Sequence, residues 1–296
     1  MKIVIAGGTG FLGNALRDHF RSLRHEVQVL TRKPRGPGDV AWDGQGPGDW
    51  SRLLDGADVL INLAGRSVDC RYTAANRKQV LSSRILSTRA LQQAVNDCRQ
   101  PPRLWINASS ATAYIHATTV LMDEYSGIVG DDFSMNVCKA WESEFFRTGN
   151  DAVRKVAIRT SIVLGNTGGA YPRLKTLVRA GMGGYQGRGD QMVSWIHLED
   201  FCRALDFIIA ESTLNGIVNV TAPNPVANRD FMAALRRRYH IPFGCRLPVW
   251  LLEPGAALIG TETELLLKSR NVFPQKLLEA GFVFQYPVVD AALQHL

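Results

Sequence analysis

Ala6-Gly7-Gly8-Thr9-Gly10-Phe11-Leu12-Gly13 is the stretch that decides the fold class. It follows a short apolar run, 2–6, and opens a helical pattern, 12–23, with Gly7, Gly10 and Gly13 three residues apart. In a strand-turn-helix setting each glycine has its own task. The first lets the chain turn tightly, the second lets the backbone approach a diphosphate with no Cβ in the way, and the third lets the helix pack closely on the sheet. The helix start then offers free N–H groups and a partial positive charge to phosphate. An ordinary tight turn can carry the same spacing, so the flanking strand and helix give the motif its meaning. Gly7, Gly10, Phe11, Leu12 and Gly13 are therefore candidate cofactor-binding residues.

Outward from this turn, runs rich in Val, Ile and Leu recur at 26–30, 58–63, 104–108, 156–164 and 217–220. Continuous apolar runs of this length suit strands covered on both faces. Helical patterns at 77–98, 134–147 and 199–211 lie between them, and the alternation predicts an α/β fold with a Rossmann-type doubly wound parallel sheet. The stretch 33–50 is crowded with glycine and proline, which is turn chemistry rather than a helix, with a short strand at 40–42. Beyond Gly165 glycines interrupt the pattern, and the last part of the chain reads as helices punctuated by prolines. The expected division is a cofactor-binding Rossmann domain over 1–165 and a mixed region over 166–296. The latter completes the sheet and forms a smaller lobe on the substrate side.

The end of the second strand carries the finer information. An acidic residue there would bond the 2′-hydroxyl of NAD and repel a 2′-phosphate. Here the strand ends Val29-Leu30-Thr31-Arg32-Lys33, with no acid. Arg32 can pair with a phosphate through two parallel charge-assisted hydrogen bonds, and Lys33 adds a point charge. The expected cofactor is NADP(H), with Thr31 and Arg32 in its site.

Composition narrows the partners. With 46% hydrophobic and 21% charged residues in a chain of 296, a large core can form and nothing in the composition suggests disorder. The net charge of +7 raises the question of a polyanionic partner, but the densest run, Arg236-Arg237-Arg238, spreads its charges about 100° apart around a helix and makes no groove-facing stripe. No nucleic-acid partner is expected. Cys70, Cys98, Cys138, Cys202 and Cys245 are odd in number, widely spaced and free of C-x-x-C pairs, which argues against a disulfide framework or a metal site. The first strand begins at Lys2, and no apolar run reaches the roughly 18 residues of a membrane helix. A reduced, soluble, cytoplasmic protein with a small-molecule substrate is the expectation.

Taken together, these residues resemble the extended type of the short-chain dehydrogenase/reductase superfamily. They resemble more closely its atypical branch, the NAD-dependent epimerase/dehydratase-like proteins also called SulA-like epimerases. The resemblance runs the full length, through Gly7 to Gly13, Thr31-Arg32, Asn62-Leu63-Ala64-Gly65, Ser83-Arg84, Trp141-Glu142, Val163-Leu164-Gly165 with Gly168-Gly169, Trp195-Ile196-His197 and the segment 274–284. It implies that Leu63 and Ala64 line the adenosine side of the cofactor, that Gln79 and Arg84 approach from the following helix, and that Val163 lies near the nicotinamide half. Most extended members carry Asn where Arg84 stands. Members often pair through helices that include the one bearing Lys139, which makes a homodimer an open expectation.

Such enzymes use a Ser or Thr with a Tyr-x-x-x-Lys pair on one helix face, where the ammonium lowers the phenol's pKa for proton exchange with substrate. Ser110, in Ser109-Ser110-Ala111-Thr112-Ala113-Tyr114, fits the first role and Lys139 the last. Met135 stands four residues before Lys139, and a thioether has no exchangeable proton. Tyr114 and His197 are the alternative proton-transfer candidates. Three readings compete: an NADPH-dependent oxidoreductase or epimerase for a carbonyl, hydroxyl or sugar-nucleotide-like substrate; a non-catalytic NADPH or redox sensor; and an interaction module, since the family name has been attached to cell-division inhibition.

Overall fold

In the computed structural model, which describes residues 1–147, 150–246, 248 and 268–296, the apolar runs become strands of one parallel sheet. These are β1 (Lys2–Ala6), β2 (Glu26–Thr31), β3 (Asp39–Ala41), β4 (Val59–Asn62), β5 (Leu104–Ser110) and β6 (Arg154–Thr160). With β10 (Gly216–Val220) at the edge beside β6, the spatial order is β10-β6-β5-β4-β1-β2-β3. All neighbours in it pair parallel. The order reverses between β1 and β4, and an open α/β sheet leaves a crevice at the carboxyl ends of the strands where that happens. The glycine turn follows β1, so it sits at this reversal.

Strand alternation explains the two-sided burial. Ile3 and Ile5 of β1 face Leu16 and Phe20 of α1 (Phe11–Ser22) and Phe201, Leu205 and Ile208 of α5 (Leu198–Ala210). Val4 and Ala6 face the other way, into a core with Leu91 and Val95 of α2 (Ala74–Asn96) and Phe145 of α3 (Phe133–Arg147). A third core joins α4 (Tyr171–Arg179), α6 (Asn228–Arg238) and α8 (Val289–Gln294), while α7 (Gln275–Glu279) packs on β10.

One expected strand divides. The apolar run 156–164 is not continuous: β6 ends at Thr160, and β7 (Ile162–Leu164) pairs in parallel with β9 (Trp195–His197) in a separate two-stranded sheet. Ser161 is the break, its N–H donating to Val220 O while that of Ile162 donates to Ser194 O. Both halves are buried, so hydrophobicity continues across a change of partner and periodicity does not reveal it. Another pair, β8 (Met192–Val193) with β11 (Val226–Ala227), is antiparallel.

The segment 268–273 crosses this region as an extended strap. Arg270 N donates to Met192 O at 2.8 Å, Met192 N to Ser269 Oγ at 2.9 Å, Met122 N to Asn271 O at 2.7 Å and Phe273 N to Met122 O at 3.0 Å. The three consecutive arginines of α6 also have separate structural tasks. Arg236 donates to Gly183 O, Arg237 pairs with Asp290 and Arg238 donates to Leu293 O, as their angular spread dictates. Among the described residues no helix is long and apolar enough to cross a membrane.

Candidate functional site

The three glycines of the turn differ in what surrounds them. Gly7 has φ +74°, and a Cβ there would lie 2.7 Å from Ala64 Cα. At Gly13 a Cβ would collide with the Gly8 backbone. Both are required by the fold itself. Gly10 has nothing within 4 Å of the place a methyl group would take, and it caps α1 with no side chain bonded to the helix N-terminus and no acid in the first turn. That leaves an open approach to unpaired N–H groups, which is what a diphosphate requires. Gly13→Ala is expected to destabilise the chain by about 1–3 kcal/mol through overpacking, read as a lower urea midpoint; an unchanged midpoint would show that α1 can move off the turn.

Around this opening the neighbouring strands end. Thr31 is buried, its hydroxyl 3.3 Å from that of Thr9 and accepting from Lys33 N at 3.4 Å, while the Arg32 and Lys33 side chains are exposed. Leu63 N donates to Ala6 O and Ala64 N to Asn62 Oδ1, so the end of β4 is held against the turn. Arg84 lies half-buried behind it. Its guanidinium donates to Arg66 O at 3.0 Å and Val80 O at 2.9 Å and stacks on the Trp141 ring at 4.9 Å. Burial lowers its pKa. Arg84 thus supports the backbone after β4 from below. Gln79 lies on an exposed part of α2, and Val163 is buried in β7.

A cavity of about 670 Å³ opens beside the turn, at the carboxyl ends of β5 and β6. Phe11 forms part of its wall. Methyl groups on Gly165, Gly168 or Gly169 would fall within 3.0 Å of the Phe11 side chain, so these three glycines form the slot that holds the ring. Ser110 also reaches the cavity, its hydroxyl donating to Thr112 Oγ1 at 3.0 Å and accepting from Thr112 N at 3.2 Å.

The other catalytic candidates are not brought to this cavity. Tyr114 is fully buried away from it, donating to Asn219 Oδ1 at 3.0 Å with the Arg159 guanidinium 4.6 Å over its ring. Burial pushes the phenol's pKa up against the pull of that cation. Lys139 is exposed on α3, and Met135 is buried with its thioether against Gly130. His197 caps α5, its Nδ1 accepting from Glu199 N at 3.2 Å, with its ring 4.1 Å from that of Tyr286 and its pKa lowered by burial. Among the described residues, no tyrosine or histidine lines the cavity.

Residues the sequence did not single out do line it: Thr112, Ser161, Arg173, Lys268 and Arg270. Thr112 stood two places from Ser110 in the quoted segment, a legible signal. Lys268 and Arg270 had none, because only the strap brings them there.

The Trp141-Glu142 pair turns out to be structural support for this wall. Trp141 Nε1 donates to Thr88 Oγ1 at 3.0 Å. Glu142 takes both arms of Arg159 at 2.8 and 2.7 Å and the Ser109 hydroxyl at 2.6 Å, with both ionic side chains at most a tenth exposed. This clamps α3 onto β5 and β6 immediately before Ser110.

Comparison with known proteins places these features in a lineage. The NAD dependent epimerase/dehydratase family matches residues 3–131, and a domain of unknown function, DUF1731, matches 247–296. The human "Epimerase family protein SDR39U1" is 33% identical, covering all of this chain and 99% of that protein. "Epimerase family protein YfhF" of Bacillus subtilis is 32% identical, covering all of this chain and 98% of its own length. A crystal structure of human SDR39U1, isoform 2, with NADPH superposes with a TM-score of 0.91 at 31% identity, over 100% of this chain and 98% of that one. Full-length similarity at this level, on the same glycine turn and sheet, means that the chain belongs to the epimerase family these proteins share, an atypical extended branch of the short-chain dehydrogenases.

Proposed function

We propose that this chain binds NADP(H) across the glycine turn and acts as an oxidoreductase or epimerase on a carbonyl, hydroxyl or sugar-nucleotide-like substrate held in the adjoining cavity. The observation that carries this is the end of β2, where Thr31 meets Thr9 of the glycine turn and Arg32 and Lys33 follow it, exposed, with no carboxylate among them. The NADPH in the crystal structure of the human relative supports it. When bound, the nicotinamide supplies or accepts a hydride. The chain's own part is to seat the diphosphate on the α1 N–H groups, to receive a 2′-phosphate on Arg32 and Lys33, and to offer the Ser110 hydroxyl to a substrate oxygen.

Calorimetry tests the cofactor assignment directly. NADPH should bind more tightly than NADH, and Arg32→Ala should weaken NADPH by about tenfold or more, the worth of one charge-assisted phosphate contact. Equal affinities for the two cofactors in the parent chain would reject it.

A second reading, a sensor that binds NADP(H) without turnover, is favoured by the absence of a phenol or imidazole among the described residues of the wall. NADPH oxidation across a panel of carbonyl compounds separates the two: a sensor binds the cofactor and turns over none of them. A homodimer also belongs to the proposal, supported by Leu81 and Leu86 of α2 and Phe146 of α3, large side chains exposed on neighbouring helices. Sedimentation of the parent chain tests it.

A further inference from the structure

Ser110 ends β5 and caps the short 3₁₀ turn that follows, Ala111–Ala113. Capping uses its oxygen as an acceptor, for the Thr112 N–H at 3.2 Å. The same hydroxyl also donates, to Thr112 Oγ1 at 3.0 Å. A serine hydroxyl has one proton and two lone pairs, so the proton and one lone pair of Ser110 are both committed inside the turn. Only the second lone pair is left for a ligand.

Thr112 stands in the opposite state. It is half-buried and lines the cavity. Its Oγ1 accepts from Ser110, and no group among the described residues accepts its own proton. A hydroxyl that takes a hydrogen bond on one lone pair directs its proton away from that donor, so the bond from Ser110 also sets the Thr112 rotor. The other hydroxyls of the wall lack one of these features. Ser161 Oγ is buried, and Ser194 Oγ both donates to Arg270 O at 2.8 Å and accepts from Val272 N at 2.9 Å. Thr160 stands opposite Ser110 in the pairing of β5 with β6, but among the described residues no hydrogen bond orients its hydroxyl. Ser67 is exposed on the loop after β4.

A carbonyl under reduction gathers negative charge on its oxygen, and a donor already oriented toward that charge stabilises it most. We infer that the Thr112 hydroxyl gives the hydrogen bond to the substrate oxygen, and that Ser110 is a positioning residue that orients Thr112. This deepens the proposed function and rests on taking the cavity as the substrate site: what Ser110 offers a substrate oxygen reaches it through Thr112. The assignment concerns the reacting oxygen alone and is the same for a simple carbonyl compound and for a sugar nucleotide.

Steady-state kinetics of the full chain tests it, with NADPH and three carbonyl probes, benzil, isatin and 4-nitrobenzaldehyde. Thr112→Val keeps the side-chain shape and removes the hydroxyl, and kcat should fall by about a hundredfold or more, the usual loss with one oxyanion donor, at an unchanged KM for NADPH. Thr112→Ser should restore most of the rate. Ser110→Ala should lower kcat by less, about tenfold, and should cause no further loss when added to Thr112→Val, because a positioning residue has no effect once the group it orients is gone. A merely structural Ser110 would lower the rate by the same factor in both backgrounds. Circular dichroism and NADPH fluorescence report fold and cofactor in each variant. The inference is overturned if Thr112→Val keeps the rate, if Ser110→Ala or Thr160→Val loses more than Thr112→Val, or if the Ser110 and Thr112 losses multiply. A crystal structure of the parent chain with NADP⁺ gives a readout that needs no turnover. An ordered water should bond to Thr112 Oγ1 while Ser110 stays bonded to the same atom; a water on Ser110 alone, or on neither hydroxyl, would overturn the inference. If the parent chain reduces none of the probes, the oxidoreductase reading fails, and the crystal structure still decides between the two hydroxyls.

Discussion

Gly10→Val is expected to abolish NADP(H) binding while the chain stays folded. Gly10 has φ −82°, a backbone conformation open to any residue, and no atom lies within 4 Å of the position its Cβ would take. The fold therefore accepts a side chain there. The ligand does not, because the branched side chain fills the space over the first turn of α1, where a diphosphate must come close enough to hydrogen-bond the exposed N–H groups. Loss of those contacts should weaken binding by about a hundredfold or more, roughly 3 kcal/mol. Gly10→Ala should fall between. Far-ultraviolet circular dichroism and the urea midpoint should remain those of the parent while NADPH fluorescence enhancement disappears. Retained enhancement would place the phosphates elsewhere.

The largest loss of stability is expected from Glu142→Ala. Glu142 and Arg159 form a two-armed ion pair with both side chains at most a tenth exposed, and the Ser109 hydroxyl donates to the same carboxylate. Removing the acid strands a buried guanidinium and a buried hydroxyl together. Breaking one side of such a pair destabilises by about 3–5 kcal/mol, chiefly through the uncompensated charge. Urea denaturation should show the midpoint falling with little change in slope. A double replacement, Glu142→Leu with Arg159→Met, should recover much of the loss, because apolar groups of similar size need no compensating charge. A single-variant loss below about 1 kcal/mol would mean that water reaches the guanidinium and that the clamp on α3 is weak.

These two sites illustrate what can and cannot be inferred from a linear chain. The glycine turn, the acid-free end of β2 and the alternation of strands and helices were all legible, because each depends on neighbours a few residues apart. Spacing of 3 places Gly7, Gly10 and Gly13 around one turn whatever lies elsewhere, and continuous apolar runs predict two-sided burial wherever the strand sits. Even so, the same hydrophobicity concealed the break at Ser161, since both β6 and β7 are buried and only a change of hydrogen-bond partner separates them.

The cavity wall required the tertiary structure. Ser110 and Tyr114 are four residues apart in one segment, but the first reaches the cavity while the second turns to Asn219, more than a hundred residues away in the chain. Glu142 reads as part of a family motif, and only its contact with Arg159 on β6 makes it a clamp. Lys268 and Arg270 carry no local signal at all. They enter the site because Ser269 Oγ bonds to Ala117 O and Asn271 Nδ2 to Val120 O, each about 150 positions distant, and so lay the strap across the opening. By itself the sequence determined the sheet, the glycine turn and the acid-free end of β2, since steric and charge requirements there are met within single turns. Which side chains face the cavity was decided by long-range hydrogen bonds and buried ion pairs, whose partners no local spacing specifies.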